Sequence, residues 1–579
     1  MFTNTFKKTL LSVIISGVIV AACGGGSSDS SDSSTPAVVT DPTVETISLS
    51  RIGRTASQGF AVSASEIVAF DKTGKRIFTV NAESGAVDVF DASNVTAPVL
   101  NSSLNLAQIL HANGKVSDVA VVGAANSIAI SGDLVAVAVE ANPKTSNGWV
   151  VFLNRATLTY VQAVQVGALP DMVTFTPDGT KSVVAIEGEP EDYTVDPEGR
   201  VDIINVSDFS LRSATFTAFN VGGARHSELP SDVRVFGQVV DSTGAIVRSS
   251  TVAEDLEPEY VAISDDSKTA YVSLQEANAI AVVDLTAANV TKIISLGFKN
   301  HSLAGNGLDP SDKDSGATIG NWPVYGMYMP DSIASYQVNG QTYLVTANEG
   351  DSRADWGVED ASGDNVNNEE TRVKNLSLDT TVFTDATTLK MDANLGRLKV
   401  TTKLGDANGD GLYEKLFAFG GRSFSIWNAT TGALVFDSGD AFEKKTAEIY
   451  GNDFNNNHEE NDGDGRSDDK GPEPEALAIG KIYDKTYAFV GLERMGGIMV
   501  YDITNPAAPT FVQYLNDRNL VVDPADNSGS TYSVDAGDLG PEGFKFVSAS
   551  DSPNGKPLLI VGNEVSGTTA IHEIAVTTK

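Results

Sequence analysis

Short apolar runs separated by polar turns recur along most of the chain, and they set its architecture before any single residue does. The clearest unit opens at Glu257-Pro258-Glu259-Tyr260-Val261-Ala262-Ile263-Ser264, passes a polar turn, runs on over 269–274, closes with Gln275-Glu276 and ends in a third run over 279–285. Runs this short, rich in Val, Ile, Tyr and Phe and bounded by Gly, Asn and Asp, are antiparallel strands joined by tight turns. The unit recurs at Pro474-Glu475-Ala476-Leu477-Ala478-Ile479 with 486–492 and 497–503, and at Pro541-Glu542-Gly543 with 557–562 and 568–574. Looser copies begin near Glu66, Asp118, Pro170-Asp171 and Pro330-Asp331, and a degenerate one spans 415–435. Self-similarity at this period marks a repeat architecture. The pattern predicts an all-β propeller of about seven or eight blades, since closing such units into a ring removes exposed sheet edges. The strand-like segment 45–56 precedes the first unit and is expected to complete the last blade.

Acidic residues fall at fixed places in these units. One opens the first strand and one closes the second: Glu66 and Glu83, Asp171 and Glu187, Glu259 and Glu276, Asp331 and Glu349, Glu475 and Glu493, Glu542 and Glu564. In an antiparallel hairpin the start of one strand lies beside the end of the next, so each pair meets at one rim. If the first strand lines the axis, all pairs converge on the central opening. Crowded carboxylates raise one another's pKa or recruit cations. Hard oxygen ligands in this number favour calcium over magnesium or manganese; the alternative is a ring of turn residues facing water. The degenerate unit carries Gly420-Gly421-Arg422-Ser423 where the others carry the second glutamate.

The N-terminus changes the picture of where this ring works. Lys7 and Lys8 precede an apolar run over 10–22 that ends in Val20-Ala21-Ala22-Cys23, a signal peptide with small residues at its cleavage site. The run is shorter than the roughly 20 residues a spanning helix needs. Cys23, the single cysteine of the chain, sits where a bacterial lipobox places its acylated cysteine. Residues 1–22 are therefore read as the signal, 23–44 as the lipidated cysteine and a Gly/Ser/Asp tether, and 45–579 as the propeller. Gly24 gives no inner-membrane retention signal, so an outer-membrane lipoprotein facing the periplasm or the cell surface is expected, touching the membrane through its anchor alone. The net charge of −36 becomes two units more negative when Lys7 and Lys8 are removed. That field opposes nucleic acid and anionic lipid.

Two further segments carry candidate metal ligands. Asp406-Ala407-Asn408-Gly409-Asp410-Gly411 matches the first half of an EF-hand calcium loop, but Phe417 stands where the closing glutamate belongs, leaving Glu414 as a substitute. The stretch over 455–470, NNNHEENDGDGRSDDK, offers Asp462, Asp464 and Asp468 around one ion, or else a mobile acidic loop. His458 has no partner at a ligand spacing and reads as a surface residue.

Four stretches, Pro330-Asp331-Ser332-Ile333-Ala334, Ala347-Asn348-Glu349-Gly350-Asp351-Ser352-Arg353, Arg466 through Glu475, and Gly562-Asn563-Glu564-Val565-Ser566-Gly567-Thr568, resemble the choice-of-anchor I family. The resemblance covers nearly everything after the tether. It implies a secreted propeller-like domain delivered to the surface by varying anchors. That family is related to the mesenchyme-specific cell-surface glycoproteins of biomineralising animals, and its bacterial members are described as alkaline phosphatase-like.

Two functions fit these residues. In the first, a calcium-dependent phosphomonoesterase, Asp331, Glu349, Glu475 and Glu493 hold metals that polarise the phosphoryl group of a small phosphorylated substrate, and Arg353, Arg422 and Lys470 grip it. In the second, a non-catalytic, calcium-loaded module presents loops to a surface ligand, glycan or mineral. No nucleophile elbow, H-E-x-x-H, Walker loop or strand-linked G-x-G-x-x-G is present, and the five histidines give no zinc spacing. A monomer is expected.

Overall fold

The computed structural model describes residues 42–190, 194–241, 243–354, 368–525 and 532–579, so Cys23, the expected leader and most of the expected tether lie outside it. Among the described residues, seven four-stranded antiparallel sheets follow one another along the chain. Their innermost strands begin at Val68, Val122, Pro170, Pro258, Ile333, Pro474 and Pro541, and each packs on the next until the seventh meets the first. Each gap between neighbouring sheets holds its own apolar cluster, such as Val184, Ile186 and Phe152 between the second and third, and Ile77, Phe90 and Ile571 between the seventh and first. Strands buried on both faces explain the near-continuous apolar runs at 134–141 and 485–492. The result is a β-propeller.

The N-terminal strand Val44–Arg54 pairs antiparallel with the C-terminal strand Thr568–Thr578, completing the last sheet as expected. The segment over 415–435 does not form a blade of its own. Ser423–Asn428 and Leu434–Asp437 are the third and fourth strands of the sheet that begins at Ile333, separated from its second strand by a long insertion. Arg422 therefore precedes a third strand and does not replace a glutamate of the ring. Outer strands such as Val99–Asn105 are largely exposed and lack an apolar stripe, which is why only three strands per unit are evident in the sequence.

Insertions of the fourth to sixth sheets build a separate layer with its own core, in which Leu376, Leu378, Leu395 and Leu416 pack together. It contains a three-stranded sheet whose members Tyr325–Met327 and Phe417–Ala418 run parallel, and the helix Ala441–Tyr450.

Candidate functional site

The acidic rim follows from a repeated backbone device. In the third, fourth, sixth and seventh sheets the inner strand starts at a proline, where a missing N–H does no harm, and the register slips directly after it: between Pro170 and Val173, Pro258 and Val261, Pro474 and Leu477, and Pro541 and Gly543. The slipped residues include Asp171, Glu259, Glu475 and Glu542, and a bulge of this kind re-aims side chains. Leu169, Met329 and Glu473, each just before a proline, adopt left-handed φ of 48°, 45° and 49°. Strain repeated at one structural position is typical of a functional site. The second acids are tied to the same place, since the Glu187, Glu493 and Glu564 amides donate to the carbonyls of Leu169, Glu473 and Gly540 at 3.0, 2.8 and 2.8 Å.

These acids meet. Asp171, Glu187, Glu259, Asp331, Glu349, Glu475 and Glu542 line one cavity of about 190 Å³ at the end of the propeller axis, with Asn126, Gln275 and Tyr260 between them. Ile67, Met172 and Tyr260 also line a second space of about 330 Å³, which continues along the inner strands past Phe175 and Phe544. Asn126 is the second sheet's counterpart of the ring acids, marked by its own slip in register between Ala125 and Ser127. The closing acid of that sheet is Glu140, whose carboxylate accepts the Ala124 amide at 3.1 Å. Sequence comparison missed both because Asp118 looked like the opening residue; Asp118 instead caps the exposed turn at Val119–Val121. Glu83 is exposed and stands apart from the ring.

The carboxylates behave as a group short of positive charge. Burial pushes Glu66 up to about 8 and Asp171 to about 7, with neighbouring acids adding to both. Burial also lifts Glu187, Glu259, Asp331, Glu475 and Glu542 well above the usual carboxylate range, and Asp331 is further raised by Glu349 and by Asp171 from across the ring. Glu259 and Glu276 are 8% and 3% exposed. One oxygen of each, and one each of Glu475 and Glu542, has no hydrogen-bond partner among the described residues. Such an orphaned acceptor is costly unless something else meets it.

One sector has built-in cations. Lys470 Nζ lies 2.7 Å from Glu349 and 3.3 Å from Glu473, while Arg494 Nε lies 3.1 Å from Glu493 and 3.3 Å from Glu473. Burial opposes ionisation of Glu473, but Arg466, Lys470 and Arg494 outweigh it and hold the group below the usual range. His458 is buried and not a surface residue, with Nδ1 3.3 Å from Glu493 and 3.7 Å from Glu564. Arg494 contacts both ring nitrogens of His458, whose tautomer sets which of them donates.

A sequence model of the choice-of-anchor I domain matches residues 66–506, which contain most of this ring. The chain belongs to the choice-of-anchor I family. Membership makes it a surface-associated protein, and no described helix is long and apolar enough to cross a membrane. Gigasin-3a of Magallana gigas is 32% identical over 195 residues, covering 32% of this chain and 66% of that protein. A mesenchyme-specific cell surface glycoprotein of Strongylocentrotus purpuratus is 28% identical over 254 residues, 39% of this chain and 32% of its own. The chain thus spans under two thirds of either relative. Among solved structures, the WD40 domain of Toxoplasma gondii coronin aligns over 93% of this chain and 89% of its own at a TM-score of 0.44 and 8% identity.

The remaining predicted residues of this choice-of-anchor I domain are placed differently from the cage. Arg353 is 1% exposed; it pairs with Asp255 and, at 2.6 Å, with Glu257. Arg422 is 3% exposed and donates to Glu443 at 2.6 Å and to the carbonyls of Asp309, Ser467 and Asp469 at 2.8, 2.8 and 2.6 Å. Neither guanidinium lines the axial cavity; of the three proposed phosphate-gripping groups Lys470 pairs directly with a ring acid, Glu349, and Arg353 acts on Glu276 through its charge. Asp468 pairs with Arg372 and with Arg397 at 2.7 Å, Asp462 is exposed, and Asp464 is buried elsewhere, so the three do not surround one point. Asp406, Asp410 and Glu414 bring carboxylate oxygens within 4.8 Å of one another. The Asp406 carboxylate accepts the amides of Gly409 at 2.7 Å and Gly411 at 2.8 Å, and Asn408 donates to Glu414 at 2.9 Å.

Proposed function

We propose that this domain is a non-catalytic, calcium-loaded surface module whose axial carboxylate cage holds divalent ions. The observation that carries the reading is the set of buried oxygens on Glu259, Glu475 and Glu542, unpartnered among the described residues, in a cavity lined by seven carboxylates. Oxygen-only donors in irregular array suit calcium, which accepts six to eight ligands in flexible geometry. The ions would neutralise the ring, fix the loops that surround it and so present them to a surface ligand or mineral. Anchoring through an acylated Cys23 would hold the module at the cell envelope. One animal relative, a cell surface glycoprotein by name, is consistent with that use.

Hydrolysis of a phosphomonoester has less support. Arg353 and Arg422 are committed to carboxylates and carbonyls, and Lys470 is engaged by Glu349 and Glu473, so none of the three is held ready for a phosphate at the cage.

Elemental analysis of the purified full chain should find bound calcium, and Glu259→Gln combined with Glu475→Gln should lower the number of ions per chain while the protein stays folded. Chelation should lower the melting temperature of the wild type much more than that of this variant. Wild-type protein that neither contains nor takes up a divalent ion would overturn the cage.

A further inference from the structure

The insertion layer buries a second group of oxygens that the axial cage does not use. Asn455 is fully buried; its amide nitrogen donates to Glu443 Oε1 and to Ser467 Oγ, both at 2.9 Å. The oxygen of that same amide has no partner among the described residues. Ser467 in turn donates to Asp464 Oδ1 at 2.5 Å, and the backbone N–H of Asp309 donates to Glu443 Oε2 at 3.3 Å. The Asp309 carboxylate accepts the amides of Ser311, at 3.2 Å, and Thr318 and lies near enough to Asp464 to be raised by its charge, so one enclosed place gathers Asn455, Asp464 and Asp309, the last two 6% and 0% exposed.

We infer that Asp309, Asp464 and Oδ1 of Asn455 hold a single calcium ion that staples three insertion segments together. The donors are all hard oxygens, and among the described residues no histidine or thiolate that would favour a softer metal contacts them. Charge argues the same way. Arg422 is committed to Glu443, and among the described residues no ammonium or guanidinium pairs with Asp309, Asp464 or the nearby Asp314. Burial raises Asp309, with Glu443 and Asp314 adding to it, and it raises Asp464 likewise. Two buried acids beside an amide oxygen that receives no hydrogen bond make a poor neutral network and a good cation site. The ion would join the loop around 309–318 to the turn at Asn455 and the turn at 464–467, the chain that leads directly into Lys470 and Glu473.

Hydrogen exchange on the full chain, with calcium and with chelator, tests this apart from the cage. Calcium should slow exchange over 309–318 and 454–467 by about a hundredfold at a free concentration of about 100 Kd, in the wild type and equally in the Glu259→Gln, Glu475→Gln variant. Asp309→Asn with Asp464→Asn should abolish that protection and remove one calcium per chain while the cage ions stay. Exchange indifferent to calcium in the wild type overturns the site, as does protection that disappears with the cage variant, since calcium would then act only at the axis. If the double aspartate variant does not fold, the first two comparisons still decide.

Discussion

In the insertion layer the buried carboxylates Asp255, Glu257, Glu369 and Glu443 are each met by an arginine, whereas at the axis Glu259, Glu276, Glu475 and Glu542 each keep an oxygen that meets nothing among the described residues. Both groups are equally hard to bury, because a carboxylate taken from water loses several kcal/mol of solvation in either place. What differs is where the compensating charge comes from. The insertions carry it in the chain, as Arg353, Arg234 and Arg422. The ring pairs directly with few cations, Lys470 and Arg494 in the sector around Glu349, Glu473 and Glu493, while Arg353 and Arg234 act on Glu276 only through their charge. Apart from Asp309 and Asp464, then, the insertion acids form a fixed framework, whereas the ring is built to receive charge from outside.

The largest effect should come from removing a fixed cation. Arg422→Met takes the charged partner from the Glu443 carboxylate, which keeps only the Asn455 and Asp309 N–H groups, and takes the guanidinium donor from the carbonyls of Asp309, Ser467 and Asp469. Breaking a buried pair from one side typically costs about 3–5 kcal/mol. Denaturant unfolding should show that loss with or without calcium. A variant as stable as the wild type would mean that Arg422 is not a framework residue and would restore it as a candidate ligand-binding group.

The charge-accepting region should respond to pH with the opposite sign from an ordinary acidic protein. Glu66 and Asp171 have folded-state values raised to about 8 and about 7, above the roughly 4 expected when unfolded. Between those limits the folded chain holds protons that the unfolded chain has released, so stability is greatest below about pH 4 to 5 in this respect and falls as pH rises through 7 to 8. In chelator the melting temperature should therefore drop from pH 5.5 to 8. Calcium should flatten or reverse that slope, since it binds the ionised cage, adding about 2.7 kcal/mol per site at 100 Kd. Identical slopes in both conditions would show that the ring acids are neutralised without an ion.

The repeat made much of this legible beforehand. The proline-acid step at Pro258-Glu259 and its copies reveals the inner strands, the rim and the closing N-terminal strand, because register and burial repeat with the unit. The framework was not legible. Arg353 and Arg422 stand beside ring motifs in sequence, yet their partners Asp255, Glu257 and Glu443 lie in other insertions, and no local pattern encodes such long-range pairing. The fifth sheet was split for a related reason: its second and third strands are adjacent in space but separated by the insertion between Asn348 and Ser423. His458 shows no ligand spacing in sequence and is buried only because the sixth and seventh sheets bring Glu493 and Glu564 to it.

The smallest effect should fall on a third kind of acid, one that water already serves. Asp410 is exposed, and its carboxylate accepts just the Leu412 amide at 2.8 Å, while Asp406 holds the turn through the amides of Gly409, Asp410 and Gly411. The turn therefore keeps its shape through Asp406 whatever happens at Asp410, and an exposed charge has little solvation to lose. Asp410→Asn preserves the acceptor and removes only the charge, so the expected change in stability is below about 0.5 kcal/mol, in chelator and at calcium concentrations that saturate the cage alike. The half-loop does place Asp406, Asp410 and Glu414 oxygens within 4.8 Å of one another, and that clustering gives the experiment its force. A calcium titration followed by melting temperature separates the cases: superimposable curves for variant and wild type assign the calcium response to buried acids alone. A variant curve displaced to higher calcium would make the Asp406 loop a metal site in its own right and would end the rule that only acids cut off from water recruit an ion here.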